Sequence, residues 1–371
     1  MTARAPEKST ALRNAVCAVC AGVLLYGIGD WAVFGSGWYD QFLDPDSLAG
    51  RIELTIAMVR RRPPSPVPEI AMVGNSVLAE GFSAKVGDAE ANGHMRFSNL
   101  AIPASTARSW YYLLRAVDPD ARRYRAIVLQ AEQYSDEDGW IPLADTIADL
   151  HIVNALLAPP DIVDFAFSFQ DPRLRFEAFR GAVLKGYIFK QDAQAFLEAP
   201  AKRLEKVALA RREYANWIYD YEGHQESLRG MTVDWSGRSV YLPPGVPTSI
   251  QQDVRQIVLR QRAPHTGDQA RFRSRWFGRI VDRYRRSGAR IIFVRPPRGP
   301  AVNPSFDSPD DPSTIRGFAR LPYVNLVRAE AFQPLESPEW FWDGLHMNAA
   351  GRQRFSGMLV HELEPLLGKD R

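Results

Sequence analysis

Cysteine is almost absent from this chain, because its two cysteines, Cys17 and Cys20, both lie close to the N-terminus. A disulfide framework or a thiolate metal site is therefore excluded after residue 20. The formal net charge is only +3, which gives no indication of a globally basic protein. With 371 residues and 46% hydrophobic content, the chain is large and apolar enough to bury a full core, so disorder is not the default expectation.

Positive charge is concentrated in one stretch, where eleven arginines lie between Arg255 and Arg290 against two acids, Asp268 and Asp282. Apolar residues recur within it at helical spacing, namely Trp276, Phe277, Ile280, Val281 and Tyr284. This spacing predicts a helix with many of the arginines on its solvated face. Binding of an anionic polysaccharide or of membrane headgroups is the alternative. Nucleic acid is not an expected partner, because no base-stacking pattern of aromatics is visible.

The first 35 residues predict a membrane anchor. Residues 15–28 are uncharged and mostly apolar, three basic residues precede them, and Asp30 and the apolar residues 31–34 follow. This charge order is typical of an uncleaved signal anchor, and the positive-inside rule then places the bulk of the chain outside the cytoplasm. A cleaved signal peptide and a buried helix of a soluble protein are the alternatives.

A helical run and a proline-rich segment separate this anchor from a compact domain. We expect residues 36–68 to be a spacer and residues 69–371 to form the domain. Short apolar runs alternate with helical patterns, which predicts an α/β fold with a parallel sheet covered on both faces. The predicted strands are residues 69–73, 95–100, 126–131, 290–295 and 323–327. Residues of about 140–265 predict a mostly helical insertion, since this connection is far longer than usual.

Chemically reactive side chains lie in two of the loops that flank these strands. Open parallel sheets place their functional groups after the carboxyl ends of the strands. Ser76 follows the first strand at a strand-to-helix turn, which exposes a serine hydroxyl. His346 can act as its base, and Asp343, three residues earlier, can bind the other ring nitrogen. Each residue alone is a weak signal, but their joint placement predicts a catalytic triad.

The pattern resembles the SGNH hydrolases, also called GDSL esterases, over residues 70–134 and 290–363. Its most specific block is the Asp-x-x-His that precedes the final helix. The resemblance implies a flavodoxin-like three-layer sandwich around a parallel five-stranded sheet. It also implies that Ser76 is the nucleophile, that Asp343 and His346 complete the triad, and that no metal or organic cofactor takes part.

The chain departs from the family pattern in three places. Asn75 replaces the usual aspartate before the serine, a side chain that takes no part in bond making. Ala104, or alternatively Ala101, stands where a glycine N–H contributes to the oxyanion hole, and alanine retains that N–H. The third block lacks its usual asparagine, and Gln133 is the expected substitute, with two alternatives nearby, Gln130 and Tyr134. Losing one oxyanion donor can cost about 10²-fold or more in rate.

Aromatic and basic residues near the same edge of the sheet predict a substrate surface. Trp342 belongs to the aromatic cluster at residues 340–342 and is the candidate for stacking on a sugar ring. Packing beneath the loops is the alternative. Arg295, or Arg298, follows the fourth predicted strand and is the candidate for holding an anionic acceptor, with a structural salt bridge as the alternative.

A membrane anchor, a proline-rich spacer and a degenerate SGNH domain together resemble the accessory proteins that acetylate bacterial exopolysaccharides or D-alanylate teichoic acids. Those proteins work beside a membrane-bound O-acyltransferase, which hands an acyl group across the inner membrane. The resemblance implies an acyl-enzyme on Ser76, resolved by a sugar hydroxyl, in a domain that faces the periplasm or cell exterior. Three alternatives remain: a carbohydrate esterase, a non-catalytic glycan-binding or assembly protein, and a soluble cytosolic lipase-like esterase.

Overall fold

The N-terminal segment forms the predicted apolar helix. The structure, a computed structural model, describes residues 6–131, 143–260, 267–304 and 313–367. Its first helix, α1 (Pro6–Asp30), is extended by a π-helical turn at Trp31–Gly35. Over Thr10–Gly35 the helix is long and apolar enough to cross a membrane, by its length and composition, and almost none of it is buried in protein.

The described residues contain strands in two sheets. They are β1 (Glu69–Val73), β2 (Arg96–Asn99), β3 (Ala126–Gln130), β4 (Thr232–Asp234), β5 (Ser239–Tyr241), β6 (Arg290–Val294) and β7 (Val324–Leu326). Five of them form one sheet in the order β2-β1-β3-β6-β7, and every neighbouring pair in it is parallel. Strands β4 and β5 form a separate antiparallel hairpin. The prediction of an α/β protein with a five-stranded parallel sheet is confirmed.

Helices make up most of the rest of the described chain. After α1 they are α2 (Leu48–Arg61), α3 (Ser76–Gly81), α4 (Ala84–Glu90), α5 (Ala107–Val117), α6 (Ala148–Asn154), α7 (Ile162–Ala166), α8 (Pro172–Val183), α9 (Lys185–Ile188), α10 (Lys190–Glu198), α11 (Pro200–Asp220), α12 (Thr248–Val258), α13 (Asp268–Tyr284), α14 (Thr314–Phe318) and α15 (Ala349–Leu367). Helices α6 to α12 and the β4–β5 hairpin all lie between β3 and β6, where the sequence predicts a mostly helical insertion.

Alternate strand residues point into two hydrophobic cores, one on each face of the sheet. One core contains Ala71, Val73 and Ile127 of the strands and packs against helices that include α2, α5 and α13. The other contains Ile70 and Met72 and packs against α3, α4 and α15. Both faces of a parallel sheet must be covered in this way because the strands are apolar on both sides.

Helix α2 belongs to the first core, although it lies in the segment that we expected to be a spacer. Its residues Ile52, Ile56 and Val59 are spaced to share one helix face, and all three are buried in that core. Ser47 caps the helix by accepting a 3.0 Å hydrogen bond from the Gly50 N–H. Helix α2 is therefore part of the folded domain and not of a spacer.

The arginine-rich stretch contains the predicted amphipathic helix, α13, whose apolar residues face the core. Several of its arginines are engaged within the protein. Arg273 is buried, and Arg275 and Arg279 form ion pairs with Asp164 of α7 at 2.6 Å and 2.5 Å. The expectation of a solvated position is therefore wrong for Arg273, whereas the half-buried Arg275 and Arg279 connect α13 to α7.

Candidate functional site

The three predicted triad residues form a continuous chain of hydrogen bonds. His346 Nε2 lies 2.9 Å from Ser76 Oγ, and His346 Nδ1 lies 2.8 Å from Asp343 Oδ2. Ser76 follows β1, whereas the other two residues precede α15, so the folded sheet brings together residues 270 positions apart. When Nδ1 carries the ring proton and donates it to the carboxylate, Nε2 can accept the proton of the serine hydroxyl.

The turn after β1 fixes the serine at the first position of α3. Asn75 is the N-cap, and its side-chain oxygen accepts a 2.9 Å hydrogen bond from the Val77 N–H. Gly74 is required by close packing, because a Cβ there would collide with the side chains of Gln130 and Leu78. The sequence of this turn thus directs Ser76 away from the strand and into the loop region above the sheet.

Gln130, the last residue of β3, holds the same turn from the neighbouring strand. Its amide oxygen accepts from the Asn75 N–H and its amide nitrogen donates to Asn75 Oδ1, both at 2.9 Å. Gln130 is fully buried, so leaving either group unpaired would cost free energy. From sequence, Gln130 was only an alternative oxyanion donor, whereas in the structure it holds the turn that carries Ser76.

The loop before α15 fixes the side chains of Asp343 and His346. Asp343 Oδ1 accepts hydrogen bonds from the backbone N–H groups of Leu345 at 2.8 Å and His346 at 2.6 Å. Gly351 allows close packing at the end of this loop, because a Cβ there would collide with the Trp340 carbonyl oxygen. The carboxylate is therefore held by three donors, two of them in the backbone.

This arrangement shifts the pKa of both groups. Burial of Asp343 opposes its ionisation, but the hydrogen bond and charge of His346 and the two backbone N–H groups outweigh burial and lower the pKa of the carboxyl. Burial of His346 disfavours the imidazolium, but the hydrogen bond and charge of Asp343, together with the charge of Glu80, raise the pKa of the ring above its ordinary value. The site is therefore arranged to stabilise a positively charged His346 beside an ionised Asp343.

Glu80 and Trp342 lie beside His346. Glu80 Oε2 lies 3.4 Å from the Trp342 indole nitrogen. The Trp342 ring stacks on His224 with 3.7 Å between ring centroids, and its centroid is 6.2 Å from that of His346. Trp342 therefore lies beside His346, and its contact with a sugar ring stays a prediction. Glu80 was not predicted, although its position four residues after Ser76 on the same helix indicates that the two side chains lie on one helix face.

The other predicted site residues have mixed outcomes. Ala104 is solvent-exposed in the loop after β2 and adopts a left-handed conformation with φ of 59°. Gln133 and the alternative Tyr134 lie outside the described residues. Arg295 donates a 3.2 Å hydrogen bond to Ser313 Oγ. Arg298 is buried and forms an ion pair with Glu336 at 2.7 Å, so the salt-bridge alternative is correct for this arginine.

A cavity of about 410 Å³ adjoins α3, the helix that begins at Ser76. Ala79 and Glu80, which follow Ser76 at i+3 and i+4 on α3, form part of its wall, as do residues of the loop after β2. The opposite wall comes from the chain between β3 and β6, through the aromatic residues Tyr214, Trp217 and Tyr221. Pro45 and Asp46, which follow the apolar helix by about ten residues, also contribute. The volume lies within the usual range for a small-molecule site.

Arg352 of α15 links this cavity to the triad. Its Nη1 donates to the carbonyl oxygens of Ala79 at 2.9 Å and Glu80 at 2.5 Å, at the end of the helix that begins with Ser76. The guanidinium also lies 4.9 Å from the Tyr221 ring centroid. Burial lowers the pKa of Arg352 to about 10. This residue therefore joins α3, which carries the serine, to the helix that follows the histidine.

Among the residues that the structure describes, no group of three or more His, Cys, Asp or Glu side chains is placed to hold a metal ion. Comparison with known proteins adds no assignment: no protein-family model matches the chain, and no curated protein matches it significantly.

Proposed function

We propose that this chain is a membrane-anchored SGNH-type serine O-acyltransferase or carbohydrate esterase, which acts on an extracytoplasmic glycan through an acyl-serine on Ser76. The observation that carries the proposal is the hydrogen-bonded series from Ser76 through His346 to Asp343, with distances of 2.9 Å and 2.8 Å. A nucleophile, a base and an orienting carboxylate in this geometry are the requirements for acyl transfer.

Three features of the fold support the SGNH assignment. The strand order β2-β1-β3-β6-β7 agrees with the flavodoxin-like doubly wound arrangement, in which the functional loops lie at the carboxyl ends of the strands. The left-handed φ of Ala104 is the conformation that glycine adopts most readily, in agreement with the glycine of the family's second block. The close packing at Gly351 agrees with the small residue of the last block.

The proposed reaction has two steps that share one proton carrier. His346 Nε2 removes the hydroxyl proton while Ser76 Oγ attacks the acyl carbon of a donor ester, and backbone N–H groups of Ser76 and Ala104 stabilise the oxyanion. The ester bond breaks, the departing alcohol takes the proton from His346, and the acyl group remains on the serine. A sugar hydroxyl then gives its proton to His346 and attacks the acyl-serine, which forms the new ester and restores the Ser76 hydroxyl. Water in place of the sugar gives hydrolysis.

The cavity beside α3 supports a glycan acceptor. Tyr214 and Trp217 are three residues apart on α11 and Tyr221 follows four residues later, so the three aromatic rings share one side of this segment. Flat aromatic surfaces with a few polar neighbours, here Glu80 and Arg51, suit the faces and hydroxyls of sugar rings. An acceptor bound in this cavity, whose wall includes Ala79 three residues after Ser76, would favour transfer over hydrolysis.

The N-terminal helix supports a function beside a membrane-bound partner. The chain would be anchored in the inner membrane, and the basic residues before the apolar segment favour an orientation in which the domain faces the periplasm or cell exterior. Pro45 and Asp46 line the cavity and lie close in the chain to the end of that helix, at Gly35. A membrane-bound O-acyltransferase that exports an acyl group is the partner that this placement suits.

The nucleophile is tested with the full-length protein in detergent. We expect release of p-nitrophenol from p-nitrophenyl acetate, loss of that activity in Ser76→Ala, and retention of it in Ser236→Ala, a control at the exposed turn of the β4–β5 hairpin. A serine-reactive phosphonate should label Ser76 in the wild type and fail to label it in His346→Ala. If the folded wild type shows neither turnover nor labelling, the enzymatic function is rejected. A non-catalytic glycan-binding or assembly role is then the remaining hypothesis.

The acceptor cavity is tested by Trp217→Ala. Loss of one aromatic contact, worth about 0.5–1.5 kcal/mol, should lower the rate of acetyl transfer to an oligosaccharide by about 2- to 12-fold. Hydrolysis of p-nitrophenyl acetate should not change, because that substrate does not need the cavity. Tyr241→Ala, at a more exposed aromatic on the β4–β5 hairpin, is the matched control. A neutral and a uronic-acid-containing pentasaccharide are the acceptors to compare.

A further inference from the structure

Several large apolar side chains are exposed together on the helices after β3. Phe176, Phe179 and Val183 of α8 are spaced at i, i+3 and i+7, which places them on one face of the helix. Phe167, after α7, and Tyr187, in α9, are also exposed, and the exposed fractions of the five side chains range from 40% to 65%. We refer to Phe176, Phe179, Val183 and Tyr187 as the α8 face. Concentration of exposed apolar residues in this way marks an interaction surface.

The α8 face adjoins the point where the apolar N-terminal helix meets the folded domain. The Gly186 N–H donates a 2.8 Å hydrogen bond to Asp30 Oδ1, at the last residue of α1. Gly186 is also packed so closely against the Phe34 ring that a Cβ would not fit between them. Tyr187 of the α8 face is the next residue in the chain. The face is thus continuous with the end of a helix that has the length and composition to span a membrane.

Charge and aromatic residues around the face match a lipid surface. Residues 171–190 contain five Arg and Lys side chains and two acids. The Arg180 guanidinium lies 3.6 Å from the Tyr187 ring centroid and forms an ion pair with Glu177 at 2.6 Å, so a positive charge lies directly on the face. Trp31 and Trp38, at the end of the apolar helix, are exposed as well. Tryptophan, tyrosine and basic residues are the side chains enriched at the boundary between lipid headgroups and acyl chains.

We propose that the α8 face lies in the headgroup region of the same bilayer that α1 spans. Phe176, Phe179 and Val183 would then insert into the acyl boundary, and the surrounding basic residues would contact anionic headgroups. The protein is attached to the membrane at two places, the helix and this face. Two attachments restrict rotation of the domain about α1 and hold the triad at a fixed height and orientation above the lipid.

The proposal is tested with a fluorescent label in full-length protein reconstituted, one copy per disc, into nanodiscs that contain only lipid. Cys17 and Cys20 are first replaced by alanine, and an NBD label is then attached through Phe179→Cys or, as a second position on the face, Phe176→Cys. Tyr241→Cys, on the exposed β4–β5 hairpin, is the control. The discs contain phosphatidylcholine and phosphatidylglycerol, with and without a lipid that carries a shallow nitroxide quencher.

We expect labels at positions 176 and 179 to emit at shorter wavelength than the label at position 241. The nitroxide lipid should quench them at least threefold more strongly than the control. Equal emission and equal quenching at all three positions would overturn the proposal, since the α8 face would then be in water. The α8 face would then be a binding site for a protein partner, which the discs do not contain. Both outcomes are independent of whether Ser76 is catalytic.

Discussion

Replacement of Asp343 by asparagine tests the arrangement of the triad. Asp343 Oδ1 accepts two backbone N–H groups and Oδ2 accepts His346 Nδ1. An asparagine keeps its single oxygen facing the two backbone donors, so its NH₂ group faces Nδ1. Two donors cannot pair, so the ring moves its proton to Nε2 and presents an N–H to Ser76. His346 then cannot accept the hydroxyl proton.

The expected loss follows from that change of tautomer. A wrong tautomer in a Ser-His-Asp triad lowers kcat by about 10⁴-fold, which corresponds to about 5.4 kcal/mol in the activation free energy. Stability should change little, because the two backbone hydrogen bonds survive. The pKa of His346 should fall, since the carboxylate charge that raises it is gone while burial of the ring remains. The acidic limb of the remaining activity should therefore move to lower pH.

The assay is hydrolysis of saturating p-nitrophenyl acetate by the full-length Asp343→Asn protein between pH 5.5 and 9, with thermal unfolding measured alongside. Asp88→Asn is the matched control, because Asp88 also accepts a backbone N–H, from Phe97 at 2.7 Å, but has no contact with the triad. The reasoning is refuted if Asp343→Asn keeps more than about a tenth of the wild-type kcat, or if Asp88→Asn loses as much activity as Asp343→Asn.

Four further substitutions probe the surroundings of the site. Glu80→Gln removes a charge that raises the pKa of His346, so the acidic limb of kcat/KM should move to lower pH than in the wild type. Gln130→Ala leaves the turn before the nucleophile without its buried partner and should lower the free energy of unfolding by about 1–3 kcal/mol in a denaturant titration. Ala104→Gly places glycine at a left-handed backbone position and should raise the free energy of unfolding by up to about 1 kcal/mol, with activity retained. A lower free energy of unfolding would show that Ala104 is not strained. Asp149→Ala leaves an arginine of α5 without its partner in a fully buried ion pair. The free energy of unfolding should fall by about 3–5 kcal/mol, and a fall of less than about 1 kcal/mol would contradict this expectation.

The triad was predictable from sequence because its residues lie at positions that topology alone brings together. Parallel strands end at the same edge of a sheet, so a serine after the first strand and an Asp-x-x-His before the last helix must lie near each other once the strands are in register. The alternation of apolar runs and helical patterns was sufficient to predict that sheet. The apolar run over residues 15–28, with basic residues before it, was sufficient to predict the apolar helix.

The surroundings of the triad depend on contacts between residues that are distant in sequence and lack a local signal. Gln130 is one of several glutamines, and only the pairing of β1 with β3 places it against Asn75. The aromatic residues of α11 follow an ordinary helical pattern, and only the packing of that helix near α2 and α3 turns one of its faces into a cavity wall.

The amino-acid sequence alone therefore determined the sheet, the apolar N-terminal helix and the three residues of the triad, because each depends on local periodicity or on the order of strands. The tertiary structure decided which groups support the triad, what forms the cavity beside it, and that α2 packs into the core. It also decided that Arg298 and part of the arginine-rich stretch are used in ion pairs. Such contacts follow from side-chain packing between distant parts of the chain, and this packing leaves no regular pattern in the sequence of any one segment.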